Sequence, residues 1–101
     1  MLKYAAEFIG TFIFLSVILN AVAKGSSLAG YAPLAIGLAL AVAIQFGGAI
    51  SGGHYNPAVS VMFALKNELA VEELLPYITA QVLGAVAAKY FYDLSVMTPM
   101  V

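Results

Sequence analysis

Cysteine is absent, and so is arginine; the only basic side chains are Lys3, Lys24, Lys66 and Lys89. Without cysteine there is no disulfide framework and no thiolate metal site. The lysines are scattered and the net charge is −1, so no basic stripe exists for nucleic acid to grip. Charge of either sign is scarce, at 9% of residues, while 63% are hydrophobic. Soluble domains are about half apolar and about a quarter charged. A soluble chain of 101 residues has too much surface for its volume to hide such an excess. Lipid is the solvent that suits it. A multi-pass integral membrane protein is expected, with the lipid bilayer as its first partner and no nucleic acid.

Residues that could do chemistry together are lacking too. His54 is the lone histidine, and one His without cysteine makes no zinc site. A Ser-His-Asp triad would have to recruit Asp93 from far along the chain, and no nucleophile elbow is present. No acid, base and nucleophile share one place. Neither an enzyme with catalytic residues nor a metal or other cofactor is expected.

What the chain does have is apolar length. Runs of about 20 residues cross about 30 Å of hydrocarbon. They occur at about 4–23, 31–50 and 74–92. Lys24-Gly25-Ser26-Ser27 is a polar break after the first. Residues 67–73, NELAVEE, form a charged surface turn before the third. The first run has a rival interpretation as a signal peptide, with Lys3 before it and Ala21-Val22-Ala23 as a small-residue cleavage site. The run exceeds a usual h-region, and Glu7 would sit awkwardly at its start.

Residues 51–66 are a different object. Ser51-Gly52-Gly53-His54-Tyr55-Asn56 is irregular, and Pro57 to Lys66 then reads as a helix. Asn56 suits the N-cap and Pro57 the first helical position. Ten residues at about 1.5 Å give roughly 15 Å, about half the hydrocarbon thickness. Its charged end, Lys66-Asn67-Glu68, belongs at the membrane surface. Its start then falls near the midplane, as a re-entrant half-helix. Irregular backbone at that depth must be buried in protein or line a water-filled cavity. The alternative is an amphipathic helix on the membrane surface.

Polar groups inside apolar runs need partners or water. Glu7 is expected to accept backbone N–H groups from the irregular loop. Gln45 and Gln81 are expected to hydrogen-bond between helices. Lys89 and Asp93, four apart, make a snorkelling surface pair. Asn20 also needs a partner. His54 is expected to brace the loop through its ring nitrogens. Gly10, Gly37 and Gly84 lie in the three runs, where small residues let helices approach closely.

Ser51-Gly52-Gly53-His54-Tyr55-Asn56-Pro57-Ala58-Val59-Ser60 closely resembles the first signature loop of the major intrinsic proteins, the aquaporins and glycerol facilitators. Ala6-Glu7-Phe8-Ile9-Gly10-Thr11-Phe12 is similar to that family's first-helix motif. Ala80-Gln81-Val82-Leu83-Gly84-Ala85 is similar to its third-helix motif. The matches fall in family order and cover nearly the whole chain. The resemblance implies an all-α membrane fold, an aquaporin-like half with three transmembrane helices and one re-entrant half-helix. In the family, two inverted repeats bring two NPA loops together at the midplane. It implies a channel for water and small neutral solutes such as glycerol. Asn56 would donate to the passing solute within Asn56-Pro57-Ala58. The carbonyls of Gly52, Gly53 and His54 would form an acceptor ladder. Val59 would line the pore, and Ile36 would stand at the selectivity filter where many relatives carry a bulky aromatic. Glu7 would brace the loop, with Gln81 in support.

The chain departs from the family by covering one repeat. A second NPA and the filter arginine that follows it lie outside these residues. One repeat cannot enclose a pore, so a second half-repeat is expected as partner. It could be an inverted copy of the chain or a separate chain, with a higher oligomer beyond that. The sequence could also be a truncated one, ending at 97–101 where the family's central outer loop begins. A non-conducting half that binds and regulates a full-length relative is the remaining alternative. With an N-terminus inside, Lys3 and Lys66 lie inside while Lys24 and Lys89 lie outside, which gives no positive-inside bias. Such a pore would have a wider, more apolar constriction than a strict water channel.

Overall fold

The computed structural model describes residues 1–97; the expectation for the segment 98–101 lies outside them. The chain folds as α1 (Leu2–Val22), a single 3-10 turn at Ala29–Tyr31, α2 (Ala32–Ser51), α3 (Pro57–Leu65) and α4 (Val71–Met97). No strand occurs among the described residues. Three of these helices are long and apolar enough to cross a membrane.

Local chemistry sets the ends. Pro33 sits in the first turn of α2, where a missing N–H goes unused. Gly52 stops α2 in the left-handed conformation at φ 91°, its N–H donating to the Gly48 carbonyl at 2.9 Å. The end of α3 is a Schellman turn with Asn67 in the left-handed position, φ 64°. Asn67 N–H donates to Ala64 O at 3.1 Å and Glu68 N–H to Phe63 O at 2.8 Å.

The third span starts earlier than the charge pattern suggests. Val71, Glu72 and Glu73 are helical, not part of a surface turn. Acidic side chains in a first turn complement the exposed N–H groups there. Glu73 also forms an ion pair with Lys3, which ties the start of α4 to the start of α1. Pro76 follows within α4; it forfeits the one hydrogen bond that residue 76 would donate to the Glu72 carbonyl.

α1 is the central helix, with α2 and α4 packed on either side and α3 resting on α4. α1 and α4 start at the same end and run parallel. Gly84 makes their contact close: a β-carbon there would lie 2.8 Å from the Phe8 carbonyl oxygen. Gly37 has open space around it, so it makes no such contact here. α2 turns Ala43, Gly47 and Ser51 inward, a spacing of four that shares one helix face. Gln45 therefore points outward, is exposed and bonds to no other helix among the described residues. Asn20 donates to the Ser16 carbonyl one turn back, at 2.8 Å.

The molecule is inverted in polarity. The largest fully buried side chains are Gln81, Glu7, Thr11 and Ser60, while Leu34, Leu38, Val42, Leu83 and Phe91 lie exposed. That is the arrangement expected of an integral membrane protein, whose outer surface meets lipid and whose polar groups pair inside.

Candidate functional site

The buried polar centre is organised around Glu7, which is wholly buried. Oε2 accepts from Ser51 Oγ at 2.7 Å and from the His54 N–H at 3.0 Å. Oε1 accepts from the Tyr55 N–H at 2.8 Å and from Gln81 Nε2 at 2.9 Å. These donors fill the lone-pair positions of both oxygens. The carboxylate of α1 thus fastens the end of α2, two residues of the loop and α4 at one point.

The second centre is Ser60, on the buried side of α3. Its Oγ accepts from Gln81 Nε2 at 2.9 Å and lies 2.8 Å from His54 Nδ1. Ser60 thereby links the His54 ring to α4 through Gln81. His54 also stacks on Phe63, with ring centroids 4.8 Å apart. It braces the loop as expected, though one ring nitrogen does the work. Tyr77, on α4, donates to the Ser51 carbonyl at 2.6 Å.

Tyr55 has a structural role that its place in the motif does not reveal. It adopts φ 55°, a left-handed conformation unusual for an aromatic residue. Its ring is inserted between α1 and α2. A β-carbon at Gly10 would fall 2.0 Å from Tyr55 Cε1, and one at Gly47 would fall 2.0 Å from its hydroxyl. The hydroxyl donates to the Ala43 carbonyl at 2.5 Å. The pair Gly47-Gly48, four residues before the loop, was the available signal.

These anchors set where Asn56 sits. α1 spans about 31 Å over its 21 residues, so Thr11 lies at its middle. Asn56 and Pro57 share with Thr11 a cleft of about 340 Å³. The Asn56–Pro57 corner is therefore level with the middle of α1. Asn56 caps α3 by accepting the Ala58 N–H at Oδ1, 2.8 Å away. That fixes the amide: its oxygen is committed, and Nδ2 has no partner among the described residues. The carbonyls of Gly52, Gly53 and His54 likewise receive no hydrogen bond there. Asn56, Pro57 and Ala58 are exposed and Val59 half-buried. Ile36 lies apart, half-buried on α2, about 10 Å nearer the start of that helix than Ala43. The Lys89–Asp93 pair closes at 2.5 Å near the far end of α4.

The site is thus a polar turn with acceptors along its backbone and one free donor at its tip, held by a buried carboxylate. The family model described as Major intrinsic protein matches residues 1–100. The chain is 43% identical over 91 residues to Glycerol uptake facilitator protein-like 6 of Lactiplantibacillus plantarum, covering 88% of this chain and 41% of that protein. It is 41% identical over 96 residues to Aquaporin Z of Brucella melitensis, covering 85% and 40% respectively. With the Lens fiber major intrinsic protein of Gallus gallus it shares 40% identity over 85 residues, covering 81% and 32%. The chain spans less than half the length of these curated relatives.

Proposed function

This chain belongs to the major intrinsic protein family, and from that premise we propose that it forms half of a pore for water and small neutral solutes such as glycerol. The observation that carries the proposal is the Asn56 amide. Its oxygen is tied to Ala58, which leaves Nδ2 to donate to a passing solute at the level of the bilayer midplane. The unbonded carbonyls of Gly52, Gly53 and His54 supply acceptors leading to it. A single file of water or hydroxyl groups needs both.

The electrostatics favour neutral cargo. The N-terminus of α3 presents about +0.5 elementary charge, which repels cations. Positive half-helix ends of the aquaporin type also exclude protons. Val59 and Ala58 line the pore beside the donor. Ile36 makes the constriction apolar and wider than an aromatic would, so glycerol passes as well as water. Glu7 and Gln81 support the loop without touching solute.

Three helices in one layered row do not surround a channel, so the pore wall is completed by a second half-repeat. Swelling of proteoliposomes in water and glycerol gradients tests the proposal. Flux above that of empty liposomes, abolished when the loop is altered, is expected. No flux in any assembly, together with tight binding to a full-length relative, would replace it with a regulatory role.

A further inference from the structure

Resting on the half-pore reading, we infer that Ser51 and Tyr77 are positioning residues that aim the Gly52 carbonyl, the one rung of the acceptor ladder that Glu7 does not hold. In a planar trans peptide group the C=O and N–H point opposite ways. A loop carbonyl is therefore aimed by whatever binds the N–H of the next residue. Glu7 takes the N–H groups of His54 and Tyr55, so it turns the Gly53 and His54 carbonyls away from itself. The Gly52 carbonyl shares its peptide group with the Gly53 N–H. That N–H donates to Ser51 Oγ at 3.2 Å and not to the carboxylate.

This peptide group is the least restrained of the three. It lies between two glycines, at φ 91° and 64°, and glycine adopts either sign of φ about equally readily. With no β-carbon on either side, local sterics do not choose the orientation of the plane. Ser51 Oγ does. The hydroxyl can accept from Gly53 because its own hydrogen goes to Glu7 Oε2 at 2.7 Å; the Gly47 carbonyl, at 3.3 Å, is the longer alternative. Ser51, Gly53, His54 and Tyr55 are buried while Gly52 is exposed, so the hold lies inside and the rung is left on the open side.

Tyr77 fixes Ser51 from α4. In a continuing helix the Ser51 carbonyl would accept from the N–H of residue 55, but that N–H is bound to Glu7. The carbonyl would be orphaned at the end of α2. The Tyr77 hydroxyl donates to it at 2.6 Å. The N–H of the same peptide group, that of Gly52, donates to the Gly48 carbonyl at 2.9 Å. Both ends of the peptide group that precedes the free one are thus tied. Tyr77 is itself buried, its ring edge-on to Tyr4 with centroids 5.9 Å apart.

The solute decides how much one rung matters. Water is small enough to turn to a neighbouring acceptor when one is missing. Glycerol carries its hydroxyls at spacings set by its carbon chain, so a rung must stand where the next hydroxyl arrives. The Gly52 carbonyl therefore bears on glycerol more than on water.

Ser51→Ala and Tyr77→Phe, singly and together, test this in proteoliposomes of the protein that carries this chain. The readout is the ratio of glycerol to water flux, because a variant that only folds less well loses both fluxes together. Ser51→Ala is expected to lower the ratio by up to about tenfold, the equivalent of one hydrogen bond. Tyr77→Phe, which leaves the partners of Glu7 in place, should lower it in the same direction by less. The double variant should fall no further than Ser51→Ala, since both act on one peptide group. By NMR of isotope-labelled protein, Ser51→Ala should strip hydrogen-exchange protection from the Gly53 amide and spare those of His54 and Tyr55. Fluxes that fall in proportion or not at all, or a Gly53 amide still protected in Ser51→Ala, would overturn the positioning role and leave the pore standing. A double variant that sums the two losses would overturn the part of Tyr77. No flux in the parent protein would overturn the half-pore reading itself, and the positioning role with it.

Discussion

Glu7 and Tyr55 hold the same turn by different means, and their substitutions separate the two. In Glu7→Gln one oxygen becomes an NH₂ group facing N–H donors, so at least two donors lose their acceptor. Hydrogen bonds to a charged group contribute about 1.5–3 kcal/mol each. The variant is expected to lose at least about 2 kcal/mol, read as a lower thermal unfolding midpoint in detergent. Tyr55 acts by shape. Gly10→Ala forces a methyl into its ring and Gly47→Ala forces one against its hydroxyl, overpacking that costs about 1–3 kcal/mol in each case. The double variants discriminate. Tyr55→Phe removes the hydroxyl that meets position 47, where the next ring atom is 3.2 Å away. It should rescue Gly47→Ala in large part. It should leave Gly10→Ala unrescued, because that methyl strikes the ring itself. Equal rescue at both positions would contradict the wedged ring. A lone carboxylate early in an apolar run was legible as a loop acceptor. A tyrosine with positive φ was not, since the Gly47-Gly48 pair marks a close approach but not which side chain fills it.

At the scale of elements, α3 carries the proposed chemistry in how it begins. Asp caps a helix as well as Asn does, and a negative charge at a helix N-terminus is favourable. Asn56→Asp should keep α3 folded while removing the donor. Loss of one hydrogen bond of about 1.4 kcal/mol at the barrier corresponds to about tenfold in rate. Glycerol and water flux are expected to fall by about that factor with unchanged helix content by circular dichroism. Full flux in Asn56→Asp would remove the amide from the pore. The half-helix was legible from Asn56-Pro57 at one end and Lys66-Asn67-Glu68 at the other. The start of α4 was not. Glu72 and Glu73 look like loop residues until the helix dipole and Lys3 give them partners. Gln45 was misassigned for a related reason: membership of an apolar run says nothing about which face of the helix a residue occupies.

On the scale of the whole molecule, polarity matters more than any single contact. The polar residues lie inside and the apolar ones outside, so the outer surface needs lipid or protein and not water.

The membrane assignment, the count of spans, the half-length of α3 and the likeness to the major intrinsic proteins all follow from the order of residues alone. Each depends on composition or on separations along one stretch of chain, where rise per residue and hydrocarbon thickness suffice. Which polar residues meet was decided only in three dimensions. Glu7 and Tyr55 are 48 positions apart, and Glu7 and Gln81 are 74. Their contact depends on how α1 is rotated against its neighbours, and that rotation is set by close packing at Gly10, Gly47 and Gly84. The same packing leaves Gln81 Oε1 and Thr11 Oγ1 without a partner among the described residues. A sequence lists hydrogen-bonding groups; only the packed helices show which of them remain unsatisfied.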